Sequence, residues 1–225
     1  MNSRLVRFIL LCEGSSDRAL VPHLRQLLSY CGAQVVVGSA ISLSAVRDPG
    51  PGRSSVLERK IQRVLSNESE VDLLFVHRDA DAAGYEHRSS EIDDAIGNAE
   101  IETVHVPVIP VRATEAWILL DEDAIRRVAG NPRGRMPLSL PRPARVERES
   151  DPKRTLETAL ATASGHSGHR LRRFRSRFGQ HRRILLEQLP AGGPLEEVLA
   201  WRRLRTTVLD FVSGSLRHDP SAPER

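Results

Sequence analysis

The sequence predicts an α/β fold: a mainly parallel four-stranded sheet with helices on both faces, followed by an α-helical extension. Three observations predict it. Over residues 1–125, short apolar runs alternate with helical periodicity in the order strand, helix, strand, helix, strand, helix, strand, the pattern of an open sheet with crossover helices. From residue 152 to about residue 216 the periodicity is helical throughout. Between the two, residues 130–151 carry four prolines and five arginines with little periodicity of either kind. The chain thus divides into a core, 1–125, an irregular Pro/Arg-rich linker or flap, 126–151, a basic helical extension packed on the core, 152–216, and a flexible tail, 217–225.

Each element has its own signal. Residues 4–12 form a nearly continuous apolar run, as a strand buried on both faces does. Ser16 is placed to cap the helix that follows, in which Leu20, Leu24, Leu27, Leu28 and Cys31 recur at helical spacing and which Gly32 stops. Residues 34–38 read as a second strand, and the Pro/Gly-rich stretch 48–53 as a turn. Leu57, Ile61, Val64 and Leu65 mark a second helix, residues 71–76 a third strand, 86–96 a helix with a polar face, and 103–111 a fourth strand. Pro107 and Pro110 put that strand at an edge. Thr114 is placed to cap a further helix, and Pro152 opens another over 153–163, with breaks near Gly165 and Gly192.

Composition narrows the class. A chain of 225 residues, 40% hydrophobic and 28% charged, holds no apolar run near the roughly 20 residues of a membrane span, which points to a cytoplasmic protein with no membrane partner. Cys12 and Cys31 lack a Cys-x-x-Cys spacing and are expected as buried thiols. The net charge of +4 conceals a division: residues 1–125 carry −7, residues 126–205 carry +12 and the last 20 carry −1. An acidic part joined to a basic part suggests a cation-holding site beside an anion-holding surface, and nucleic acid is the polyanion it suits. Arginine supplies all but two of the 33 basic residues, the exceptions being Lys60 and Lys153, so genome composition explains part of the bias.

The acids cluster where the strands end. In open α/β sheets, sites lie outside the carboxyl ends of the strands. Glu13 follows the first strand, Asp79 and Asp81 follow the third, and Glu115 follows the fourth. Residues two apart in an extended segment share a side, so Asp79 and Asp81 are expected to face one volume, and a divalent cation is the simplest object that relieves their repulsion. The alternative for the pair is a solvated acidic turn, and for Glu115 the general preference for acids in a first helical turn. The stretch 170–178 interleaves arginines with Phe174 and Phe178, as nucleic-acid grooves do, although Leu171, Phe174 and Phe178 also fall at core spacing.

With these residues in hand, the chain resembles the Toprim-like fold, in particular small stand-alone proteins related to OLD-family nucleases that are encoded beside ABC-type ATPases in bacterial phage-defence operons. Glu13-Gly14 with Asp17 beyond, Asp79-Ala80-Asp81, and Thr114-Glu115-Ala116-Trp117 carry the resemblance, with Pro152-Lys153-Arg154 in support. It implies that Glu13, Asp79 and Asp81 hold Mg²⁺ or Mn²⁺, that Asp17, with Glu115, serves a second ion, and that Glu13, Asp79, Asp81 and Glu115 are the catalytic acids of a phosphodiesterase cutting DNA or RNA. It also implies a basic residue near the scissile phosphate, a part open to Arg78, Arg112 or Lys153, while Arg170, Arg172, Arg173, Arg175, Arg177, Arg182 and Arg183 form a candidate backbone-phosphate surface. An ABC-type ATPase is the implied partner; the oligomeric state stays open, a homo-oligomer included.

Three other readings fit less of the sequence. A dehalogenase-type phosphohydrolase would make Asp79 a nucleophile, yet leaves Glu13 unused and lacks the threonine after the pair. His166, His169 and His181 have no acid or Cys at metal-ligand spacing. A non-catalytic module that binds nucleic acid or regulates an ATPase is the alternative from another class, against which stand clustered acids that would repel a polyanion without a metal.

Overall fold

The computed structural model describes residues 5–47, 50, 54–68, 70–81 and 83–214. Four strands, β1 (Leu5–Cys12), β2 (Val35–Ser42), β3 (Leu73–His77) and β4 (Val104–Val108), form one all-parallel sheet in the order β2-β1-β3-β4. The interior strands β1 and β3 are apolar on both sides, and alternation sends their side chains to two separate cores. Phe8, Leu10, Cys12, Leu73 and Phe75 join one cluster with Leu24, Leu27 and Leu28 of α1 (Val21–Tyr30). Ile9, Leu11, Leu74 and Val76 join the other, with α2 (Val56–Leu65) and α3 (Tyr85–Asn98).

The rest of the first face is covered by the carboxyl-terminal half. Here lie α4 (Glu115–Ile118), α5 (Glu122–Val128), α6 (Pro143–Val146), α7 (Pro152–Ser164), α8 (Gly168–Arg175), α9 (Phe178–Glu187) and α10 (Leu199–Ser213). Trp117 and Trp201 meet edge to face, with ring centroids 5.6 Å apart, inside the same cluster as α1. One core therefore joins the sheet to the helical extension. Leu138 and Val146 of the Pro/Arg-rich stretch are buried in it, and the division at 125/126 falls inside α5. Among the described residues, no helix is long and apolar enough to cross a membrane.

Several boundaries move for local reasons. β2 runs on past Gly38 to Ser42, because it pairs with β1 from Leu5 opposite Val35 to Cys12 opposite Ser42. Gly38 is no terminator here: a Cβ on it would come within 2.1 Å of the Phe8 ring, so glycine makes room for that ring. Ser16 is not a helix cap. The chain leaves β1 into a 3-10 turn, Ser15–Leu20, in which the Gly14 N–H donates to Asp17 Oδ2 at 3.3 Å, before α1 begins with Pro22 in its first turn. Thr114 does not cap α4 either, its hydroxyl being engaged elsewhere. β4 stops at Val108 rather than 111, at the sheet edge that its prolines predict. Gly165, at φ 63°, closes α7 in the left-handed conformation a glycine takes most easily. The turn at 48–53, Gly50 apart, and the tail at 217–225 lie outside the described residues.

Candidate functional site

Parallel strands deliver all their carboxyl ends to one edge. From β1 the chain turns to β2 on one side, and from β3 to β4 on the other, so the switch point lies between β1 and β3. Glu13 and Asp17 follow β1, Asp79 and Asp81 follow β3, and Thr114 and Glu115 come after β4. His77, the last residue of β3, continues the row of Leu73 and Phe75 and is fully buried.

Two arginine-centred networks organise these acids. Arg182 of α9 reaches back over the sheet edge, and its guanidinium donates to Glu115 Oε1 at 2.7 Å, Asp17 Oδ1 at 2.9 Å and Thr114 Oγ1 at 2.7 Å. All four residues are buried. Burial works against the charge on Arg182, but Glu115 and Asp17 outweigh it and raise its pKa above the ordinary arginine value. The second network is more open: Arg78 pairs with Glu13 through Nε and with Glu91 of α3 at 2.9 Å, and Arg88 pairs with the same Glu91 at 2.7 Å. Burial alone would raise the Glu91 pKa, yet the two arginines hold it below the usual carboxylate value.

His77 stands between the networks. Its Nδ1 lies 3.9 Å from Asp17 Oδ2 and its Nε2 3.5 Å from Asp79 Oδ1, and neither contact has hydrogen-bond geometry. Asp79 Oδ1 is itself a buried carboxylate oxygen with no hydrogen-bond partner. Such an atom is costly unless something positive satisfies it. Asp81 behaves differently from expectation. The extended backbone ends at His77, and Asp81 sits in a turn at φ 45°, exposed, so alternation does not make it a twin of Asp79.

The basic residues divide as well. Arg182, expected on a phosphate surface, is turned inward because two buried acids hold it. Arg183 is exposed and paired with Glu187 one turn on, while Arg170, Arg172, Arg173, Arg175 and Arg177 are exposed along α8 and the turn after it. Phe174 and Phe178 pack against the main core, the bland alternative for that stretch. Arg112 and Lys153 are exposed, whereas Arg78 lies against Glu13. His181 stacks on Phe174 at 4.3 Å and His166 meets the same ring edge-on, so these histidines pack on an aromatic side chain. Of the cysteines, Cys12 is buried as expected, but Cys31 is only half-buried at the end of α1. Burial raises both thiol pKa values, that of Cys12 to about 12.

Mg²⁺ or Mn²⁺ suits the donor chemistry of Glu13, Asp79 and Asp81, which offer hard oxygens, one of them buried and unsatisfied. Asp17 and Glu115 are in another state, with a guanidinium where the resemblance implies a second ion. Among the described residues, no three His, Cys, Asp or Glu side chains form a ready-made metal cage. Glu91, Arg88 and His77 belong to the site but stood outside the sequence reading; the Arg88–Glu91 spacing of three on a polar helix was the available signal for two of them. Comparison with protein-family models, with curated proteins and with solved structures gives no match.

Proposed function

We propose that the chain is a divalent-metal-dependent nuclease that hydrolyses phosphodiester bonds of DNA or RNA at the carboxyl edge of β1 and β3. The observation that carries this reading is the buried, unsatisfied Asp79 Oδ1 at the switch point, beside a surplus of acid. Counting the site residues named above, six carboxylates (Glu13, Asp17, Asp79, Asp81, Glu91, Glu115) stand against three guanidiniums (Arg78, Arg88, Arg182), a balance of −3. A polyanion would be repelled from such an edge, and a divalent cation at Glu13, Asp79 and Asp81 removes that conflict.

A bound divalent ion supplies a water of lowered pKa and a positive charge against the phosphoryl oxygens. The chain's own residues do the rest. His77 backs Asp79, Arg78 and Glu91 fix the place of Glu13, and the exposed Asp81, outside both arginine networks, has one carboxylate oxygen for the ion and a second to accept a proton from water at the edge. Tyr30 and Tyr85 each lie under an arginine, Arg205 and Arg203, which favours hydrolysis over transfer to a tyrosine. A role in phage defence beside an ABC-type ATPase belongs to the same proposal and rests on the resemblance.

A second reading, a module that binds nucleic acid or regulates an ATPase without cutting, is favoured by one observation: arginines already hold Glu13, Asp17 and Glu115. One experiment separates the two. Labelled plasmid DNA and bulk tRNA are incubated with Mg²⁺ or Mn²⁺, and with EDTA, using wild type and Asp79→Ala. Cutting that needs metal and is lost in the variant is the expected result. Binding without cutting under either metal, with and without a candidate ATPase, transfers the assignment to the module.

A further inference from the structure

On the β2 side of the carboxylates, a cleft of about 380 Å³ opens between the loop after β2 and the first turns of α2. Its volume falls in the range of small-ligand sites. One wall is the site itself, through Glu13, Arg78 and Glu91. The facing wall carries Lys60, whose Nζ donates to the Leu43 carbonyl at 2.6 Å and makes no ion pair with an acid among the described residues. That bond uses one of three ammonium donors and holds the charge in the cleft. Arg78 spends Nε and one terminal nitrogen on Glu13 and Glu91, which leaves its other terminal nitrogen. Leu43, Leu57 and the exposed Val56 add an apolar side to this pair of cations.

The carboxylates of this cleft, Glu13 and Glu91, are already held by Arg78 and Arg88, so Lys60 is the cation that faces the apolar side without an acid of its own, and that pairing suits a nucleotide: the nucleoside lies on the aliphatic side chains and the phosphate takes the ammonium donors, with the remaining Arg78 nitrogen beside them. We propose that this cleft is a nucleotide subsite, with Lys60 as its phosphate anchor. The phosphate is a backbone group of a strand if the nuclease reading holds, and that assignment rests on it; the binding does not. The Arg-rich α8 lies outside this cleft, so within the subsite the contacts would come from α2, the loop after β2 and the turn after β3.

The test uses the full chain in buffer containing Ca²⁺, with fluorescein-labelled (dT)₈ read by anisotropy and thymidine monophosphate, thymidine and inorganic phosphate as competitors. Lys60→Gln and Val56→Asp, the second placing a carboxylate at an exposed position of the mouth, are each expected to weaken (dT)₈ about tenfold, the size of one charge-assisted contact. Arg202→Gln, at an exposed position of α10 that belongs to neither the cleft nor the arginine-rich stretch 170–183, is the control. Competition by the monophosphate but not by thymidine supports the subsite for a free nucleotide or strand end; loss of (dT)₈ affinity without such competition supports it for an internal strand position. Wild-type affinity in both cleft variants, or no binding of any probe, overturns it. If the cleft variants weaken binding while no metal gives cutting, the nuclease reading alone falls; if metal-dependent cutting occurs and both variants bind normally, the cleft alone falls.

Discussion

Arg182→Met removes the one guanidinium that serves two buried acids, and its cost can be worked from the structure. Asp17 and Glu115 keep their positions under α9 but lose contacts of 2.9 and 2.7 Å, and Thr114 loses a donor at 2.7 Å. Breaking a buried ion pair from one side typically costs 3–5 kcal/mol because the remaining charge stays desolvated, so a loss of about 4 kcal/mol is expected. For a chain of this size each kcal/mol lowers the melting temperature by about 2–4 °C, which gives a drop of about 8–16 °C. Methionine preserves the side-chain bulk, and the loss should change little with salt, since the acids are out of the screened layer. Urea unfolding of wild type, Arg182→Met, and Arg182→Met with Asp17→Asn and Glu115→Gln measures it. The added neutral substitutions should recover most of the loss, because they remove the stranded charges. A single variant that loses less than about 1 kcal/mol, or a triple variant no better than the single, would refute the account of Arg182 as a buried counter-ion.

Three further outcomes follow from other sites. His23, fully buried with its ring nitrogen 2.8 Å from the Leu189 carbonyl, is pushed down from 6.5 to about 4 by burial. The folded state then refuses a proton that the unfolded state accepts, so stability held above pH 6.5 declines by about 3 kcal/mol as pH falls to 4; His23→Gln should flatten that slope in unfolding titrations, and an unchanged slope places its cause elsewhere. Gly38→Ala drives a methyl group into the Phe8 ring, itself packed edge to face on Phe75, and should cost about 1–3 kcal/mol in urea unfolding, with no loss if the ring can turn aside. Cys12 should resist iodoacetamide at pH 8 in the native state while the half-buried Cys31 reacts slowly, as peptide mapping would show; equal labelling would contradict the burial of Cys12.

The sheet was legible because its signals are local. Apolar runs at 4–12 and 71–76, too short for a buried helix, read as strands between two layers, and Pro107 marks an edge wherever the strand lies. The acids at strand exits were legible for the same reason, since parallel order alone carries Glu13 and Asp79 to one edge. What a local pattern cannot show is which distant charge answers them. Arg182 is 165 residues from Asp17, and within 170–183 it is one basic residue among seven, so spacing gives no reason to turn it inward. His77 was hidden differently: as one more residue at the end of an apolar run, it became visible only when burial left both ring nitrogens without hydrogen bonds.

The arginines also explain how an acidic edge can exist in a stable chain. Three of the six carboxylates at the edge, Asp17, Glu115 and Glu91, sit where burial would raise the cost of their charge, and each is met by a guanidinium. Glu13 shares Arg78 with Glu91 and is more open, and Asp81 is exposed, so neither threatens the fold. Asp79 alone combines a buried oxygen with no cationic partner in either network. Folding therefore has an answer for every acid except the one at the switch point between β1 and β3. A buried acid that neither arginine network answers, beside a histidine that is itself unsatisfied, is where the proposed ion would do most for the fold, so on that reading Asp79→Ala should abolish binding of a divalent ion, measured by calorimetric titration, without a loss of stability.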